Sequence, residues 1–208
     1  MGRGPERDDM PLTDEELMRQ VQNGDVAALG EIFDRYQTRL VRFLIRFGHD
    51  SAAAEDLAQD ALWRLWEQRA RFDVHHAALR TWLFVLARNV ALNDRRRTAR
   101  TRPMPTANTD TEDWGTVPAP SAEAITLRDT VRAALGGLPQ DQRLCLILHE
   151  YEEMSYREIG EILACSEGAA RVLAHRARQA LRTQLRGVMV EEEREMNETR
   201  KDSCHAHG

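Results

Sequence analysis

The sequence predicts an all-α fold in which an N-terminal helical bundle and a C-terminal helix-turn-helix are joined by a flexible linker. Three observations carry that prediction. Apolar residues recur at three- and four-residue steps through most of the chain. No stretch alternates with the period of two that a half-buried strand requires. The helical periodicity stops once, between Thr98 and Ser121, and resumes afterwards.

The N-terminal domain is expected over residues 12–97. Thr13 and Glu16 have the spacing of a capping box and open a first helix. Leu29, Ile32, Phe33, Tyr36, Leu40, Phe43, Leu44 and Phe47 form the apolar face of a long second helix, which Gly48 ends. Ala54, Leu57, Ala58, Ala61, Leu62, Leu65 and Trp66 mark a third helix, and Leu79, Leu83, Leu86 and Val90 a fourth. Residues 98–122 read as the linker, with Pro103, Pro105, Pro118 and Pro120 and no aliphatic stripe.

The C-terminal domain is expected over residues 123–186. Ile125, Leu127, Val131 and Leu135 mark one helix, ended by Gly136 and Gly137. Pro139 suits the first turn of the next, whose buried face is Leu144, Ile147, Leu148 and Tyr151. Ser155 and Glu158 form a second capping box, followed by Ile159, Ile162 and Leu163. Ser166 can cap a last helix running from Glu167 to about Arg186. Residues 187–208 have no stripe and are expected to be a disordered tail.

Composition narrows the function. The 208 residues carry a formal net charge of −5, with a mean hydropathy of −0.57. No apolar run is long enough to span a membrane, and Met1–Met10 lacks the apolar core of a secretory signal, so a cytoplasmic location is expected. Cys145, Cys165 and Cys204 are scattered without a C-x-x-C pair and read as reduced thiols, Cys145 and Cys165 as small core residues. Neither a phosphate-cradling glycine loop nor a catalytic triad is present, so a non-enzymatic protein without cofactor is expected. His75 and His76 are adjacent and point apart on an extended loop, which favours solvent or DNA contact over metal binding. Cys204, His205 and His207 offer three ligands in the tail, and no metal site is expected there either.

The charge is unevenly spread. From Arg80 to Arg102 there are seven arginines and one acid, Asp94; from Arg171 to Arg186 there are five arginines and no acid. Two basic blocks on an acidic chain imply two anion-binding surfaces, with nonspecific DNA binding by the free chain discouraged. The two helices around Ala164–Cys165–Ser166 have the spacing of a helix-turn-helix, and Arg171, His175, Arg176, Arg178 and Arg182 follow on the second. The first block interleaves arginines with Trp82, Phe84 and Asn89, a combination that suits single-stranded DNA.

Ordered motifs carry a family resemblance. Phe72–Asp73, Leu79–Arg80–Thr81–Trp82–Leu83, Ala87–Arg88–Asn89 and Asp94–Arg95–Arg96–Arg97 resemble the promoter-melting region of extracytoplasmic-function (ECF) sigma factors. Ala54–Glu55–Asp56–Leu57–Ala58–Gln59–Asp60–Ala61–Leu62 and Leu65–Trp66 resemble the helix by which that family grips the polymerase. Leu138–Pro139, Arg143, Tyr151, Met154–Ser155–Tyr156, Glu158–Ile159, Ser166–Glu167–Gly168 and His175–Arg176–Ala177–Arg178 resemble its −35-binding domain. The chain departs from the pattern at the turn, where Ala164 and Cys165 replace the frequent glycine and branched aliphatic.

The resemblance implies a transcription initiation factor with defined surfaces. Asp56, Gln59, Asp60, Leu62 and Trp66 would bind core RNA polymerase. Arg80, Trp82, Arg88, Asn89, Arg95, Arg96, Arg97, His75 and His76 would contact the −10 element as it opens. Arg171, His175, Arg176 and Arg178 would read promoter DNA at −35, Arg171 at a base and Arg176 and Arg178 at phosphates. A dedicated anti-sigma protein would be a further partner. The competing reading is a dimeric helix-turn-helix regulator with an N-terminal helical sensor domain, which has no need of a basic, aromatic-bearing helix at 80–97.

Overall fold

The computed structural model describes residues 12–73, 76–101 and 127–205. Helix is the regular structure throughout, with no strand among the described residues. The chain divides into two compact units: Met1–Ile45 with Asp50–Pro103, and Arg46–His49 with Met104–Gly208.

The first unit contains α1 (Asp14–Gln22), α2 (Val26–Phe47), α3 (Ser51–Gln68), a 3-10 turn at Arg69–Arg71 and α4 (Leu79–Thr101). The expected capping box opens α1. The Thr13 amide donates to Glu16 Oε2 at 2.8 Å, and the Glu16 amide donates back to Thr13 Oγ1 at 3.3 Å. Asp14 ties α1 to α2 by accepting from Arg35 Nη1 at 3.1 Å and from the Tyr36 hydroxyl. Burial, and then this hydrogen bond to Asp14, push the Tyr36 phenol well above its ordinary pKa. Asp25 caps the start of α2 through the Ala27 amide at 2.8 Å, and Asp50 caps α3 through the Ala53 amide at 2.8 Å. Gly48, with φ of +113°, takes the left-handed conformation that ends α2.

Leu17, Met18, Ile32, Leu40, Leu65 and Leu83 are fully buried in this unit. Phe43 of α2 meets Phe84 of α4 edge to face, their centroids 5.1 Å apart. Each such side chain contributes about 1.5–3 kcal/mol relative to leaving it exposed. The segment before α4 is pinned from α1. Gln22 Nε2 donates to the carbonyls of Arg69 at 3.0 Å and Phe72 at 2.7 Å.

The second unit contains α5 (Leu127–Gly136), α6 (Gln140–Glu150), α7 (Tyr156–Leu163) and α8 (Glu167–His205). Leu135, Leu138, Leu146 and Ala177 form a buried cluster, with Val131, Ala180 and Leu181 packed against it. Ser155 and Glu158 make the second expected capping box. Ser166 Oγ accepts from the Ala169 amide at 3.2 Å, as its expected capping role requires. The turn between α7 and α8 is tight. Ala164 sits in the left-handed region (φ 55°, ψ 43°), and the Cys165 amide donates to the Gly160 carbonyl at 2.9 Å. A Cβ on Gly160 would lie 2.7 Å from the Cys165 carbonyl oxygen, so only glycine fits there.

Two expectations need correction. α4 continues to Thr101, four residues past the expected boundary, while residues 102–122 of the expected linker and residues 123–126 of the expected C-terminal domain lie outside the described residues. α8 continues to His205, so residues 187–205 are helical rather than a disordered tail. Elongating an already nucleated helix costs little, and Glu191–Arg200 has neither proline nor glycine to stop it. The side chains of Cys204, His205 and His207 lie outside the described residues, as does His75.

Candidate nucleic-acid and polymerase interfaces

The basic face of α4 is built on a core-packed helix. Leu79, Leu83, Phe84, Ala87, Val90 and Ala91 are buried, which turns the opposite side outward. Phe84 is therefore a core residue. Trp82 is half-buried, its ring 4.9 Å from that of Phe72. Asn89 is exposed, Arg80, Arg88 and Arg95 are half-buried, and Arg96 and Arg97 are exposed. Arg97 Nη2 pairs with Asp94 at 3.0 Å. Trp82, Asn89, Asn93 and Arg96 follow one another at steps of seven, four and three, which aligns them along one stripe. Asn93, exposed on that stripe, was missed by sequence reasoning; the spacing alone could have found it. His76 Nδ1 lies 2.7 Å from Asp73 Oδ2, which occupies one of its ring nitrogens.

The outer face of α3 is acidic with a single large aromatic. Asp56, Gln59, Asp60, Trp63 and Glu67 are all exposed and recur at helical spacing, Trp63 being 60% exposed. Leu62, expected at the polymerase surface, is 3% exposed and belongs to the core. Trp66, expected at the same surface, is less exposed than Trp63. It is half-buried, with the Arg69 guanidinium 4.0 Å above its ring. The large exposed apolar side chain of this face is Trp63, which sequence reasoning passed over in favour of Trp66.

On α8, Ala170, Ala174 and Ala177 face the core. Arg171, His175 and Arg176 are exposed and Arg178 is half-buried. Arg171 Nη2 pairs with Glu167 at 2.9 Å. Arg178, expected at a DNA phosphate, is held within the chain. Its Nε and Nη2 donate to Glu150 Oε1 at 3.0 and 2.6 Å, and both terminal nitrogens reach the Tyr156 hydroxyl at 3.3 Å. Hydrogen bonds to Glu150 and then Tyr156 raise its pKa above the ordinary arginine value. Beneath α8, Cys145 is fully buried and burial pushes its thiol up to about 11, whereas Cys165 in the turn is only half-buried. No group of side chains able to hold a metal ion occurs among the described residues.

Comparison with known proteins decides the family. The sigma-70 region 2 family matches residues 32–101, and the sigma-70 region 4 family matches residues 128–181. The RNA polymerase sigma-H factor of Pseudomonas aeruginosa is 32% identical over 189 residues, covering 86% of this chain and 96% of its own length. The ECF RNA polymerase sigma-E factor of Escherichia coli is 30% identical over 181 residues, covering 82% of this chain and 93% of its own. The chain belongs to the ECF family of RNA polymerase sigma factors.

This ECF sigma factor is a transcription initiation factor, as the ordered motifs implied; the dimeric regulator is not favoured. Solved structures agree on the fold. CnrH, solved in complex with the cytosolic domain of CnrY, superposes with a TM-score of 0.63 at 23% identity, covering 84% of this chain and 97% of that one. RpoE of Bartonella quintana, solved with the anti-sigma factor NepR, superposes with a TM-score of 0.59 at 25% identity, covering 76% and 96%. The region 2 match spans most of α2 and all of α3 and α4, and the region 4 match spans α5 to α7 and the basic start of α8. Among the described residues no helix is long and apolar enough to cross a membrane.

Proposed function

We propose that this sigma factor divides its work among three helices. The observation that carries the proposal is that each matched region contains a helix whose outer face gathers several arginines, α4 in the first and α8 in the second. Residues 12–97 form the domain that binds core RNA polymerase and the −10 element. Residues 102–122 form the linker beyond α4, residues 123–186 the −35-binding domain, and residues 187–205 an extension of α8.

The acidic face of α3 suits a basic polymerase surface. Asp56, Gln59 and Asp60 supply charge and polarity there, and Trp63 supplies the aromatic anchor. On α4, Asn89 reads the edge of an unpaired base, Trp82 offers a stacking surface and Arg88 and Arg95–Arg97 hold flanking phosphates. On α8, Arg171 reads a base in the major groove and Arg176 and His175 face phosphates. Strand opening is then driven by binding the exposed strand, with no covalent step, and the working location is the cytoplasm, where the polymerase is. Because RpoE of Bartonella quintana was solved with an anti-sigma factor, a dedicated anti-sigma protein is the inferred inhibitor here.

The test is reconstitution. The purified chain added to core polymerase should start transcripts on a promoter that core alone ignores. Trp63→Ala and Asp60→Arg should each weaken core binding at least tenfold with an unchanged circular dichroism spectrum; unchanged affinity in both would remove α3 from the interface. Failure to initiate on any promoter selected by the reconstituted enzyme would overturn the proposal as a whole.

A further inference from the structure

Tyr156, the first residue of α7, makes more connections than a helix start requires. Its ring stacks on His149 of α6, centroids 4.4 Å apart and planes inclined by 22°. His149 is itself anchored, its Nδ1 3.0 Å from the Met154 carbonyl oxygen. The Arg171 guanidinium carbon lies 5.5 Å from the Tyr156 ring centroid, within range of a cation–π attraction. The phenol oxygen accepts from both terminal nitrogens of Arg178, whose guanidinium also grips Glu150 at the end of α6. One half-buried side chain thus reaches arginines two turns apart on the helix proposed to read duplex DNA, and it does so from a neighbouring helix.

We infer that Tyr156 is a positioning residue. Its ring and hydroxyl hold Arg171 and Arg178, so the base preference of α8 depends on a side chain that acts through those arginines. The inference rests on the proposed reading of duplex DNA by α8. A free arginine side chain carries more rotamer entropy than most. A side chain already held in its bound arrangement loses less of that freedom on binding, and contributes more discrimination between bases. Glu167 alone would restrain Arg171 through an exposed pair four residues away, an interaction of the weakest class. The aromatic ring supplies a second restraint from a different helix. Arg178 has the opposite balance: two bonds to Glu150 and two to the phenol leave it as a strut rather than a phosphate contact.

The experiment uses the full chain bound to core polymerase and a promoter library randomised across the −35 element. Arg171→Ala identifies the base position that Arg171 reads. Tyr156→Leu should flatten preference at that same position by about tenfold, and the double variant should be no flatter than either single one. Tyr156→Phe, which keeps the ring, should retain the preference. It should lower affinity for all sequences evenly, by roughly threefold to tenfold, through loss of the hydroxyl. Uniform weakening by Tyr156→Leu with preference intact, or effects that add to those of Arg171→Ala, would overturn the inference. A measurement needing no folded variant accompanies it: ring-current shifts on the Arg171 side-chain protons of the wild type, whose absence would equally overturn it. A wild-type enzyme that selects no −35 sequence would instead overturn the duplex-reading role of α8, and this inference with it.

Discussion

The arginine-rich helices α4 and α8 resemble each other in composition and differ in which side chains accompany the arginines on their outer faces. On the first turns of α8, arginines are fastened by groups outside the basic stretch: Arg178 by Glu150 and Tyr156, Arg171 by Glu167 and Tyr156. On α4, the stripe of Trp82, Asn89, Asn93 and Arg96 runs along the outside of a core-packed helix, with both amides exposed. The difference suits the proposed partners. A duplex presents its bases at fixed positions, so restrained side chains discriminate best. A melting strand presents its bases only as it opens, so accessible amides and an aromatic ring are what can catch them.

The largest effect expected from this comparison falls on α4. Asn89→Ala should remove roughly 1–3 kcal/mol of preference at a single −10 position, on a fully duplex template and on one pre-melted across that element. Wild-type preference on both would break the comparison by removing the base reader from α4. On α8, Arg171→Ala should cost roughly 1–3 kcal/mol and relax preference at one −35 position, whereas Arg176→Ala should weaken all sequences alike and lower the salt slope by about one. Identical behaviour of the two would show that α8 has no separate base and phosphate contacts.

The turn that sets α8 against α7 can be tested through stability. Gly160→Ala forces a Cβ to 2.7 Å from the Cys165 carbonyl and should destabilise the second unit by roughly 1–3 kcal/mol, read as a lower thermal midpoint for the fragment 123–205. An unchanged midpoint would mean that α8 is not held by this turn. The smallest effect is of opposite sign. Ala164→Gly relieves a left-handed alanine and should stabilise the same fragment by about 0.5–1 kcal/mol. A loss of stability there would show that the alanine methyl contributes more by packing than its backbone costs.

Much of this molecule was legible in advance because helices announce themselves locally. The capping boxes at Thr13 and Ser155, the stop at Gly48 and the cap at Ser166 each depend on groups within four residues, and each stands as expected. The family was legible because three motifs occur in order, which no single helix-turn-helix could match. Legibility failed where a side chain's fate depended on a residue far along the chain. Leu62 and Trp63 are adjacent and both apolar, and only the packing of α3 within its unit decides that the leucine is buried and the tryptophan exposed. The stretch Arg171–Arg186 contains no acid, yet Arg178 meets Glu150, 28 residues away.

Sequence by itself therefore determined the helices, their order and the family, because backbone hydrogen bonding, capping and apolar periodicity act over one or two turns. Only the tertiary structure decided which aromatic of α3 faces outward, that Phe84 belongs to the core, and that Tyr156 stands between His149 and the arginines of α8. Those outcomes are set by which helix faces meet, and a side chain's neighbours across such a contact leave no mark in its local spacing.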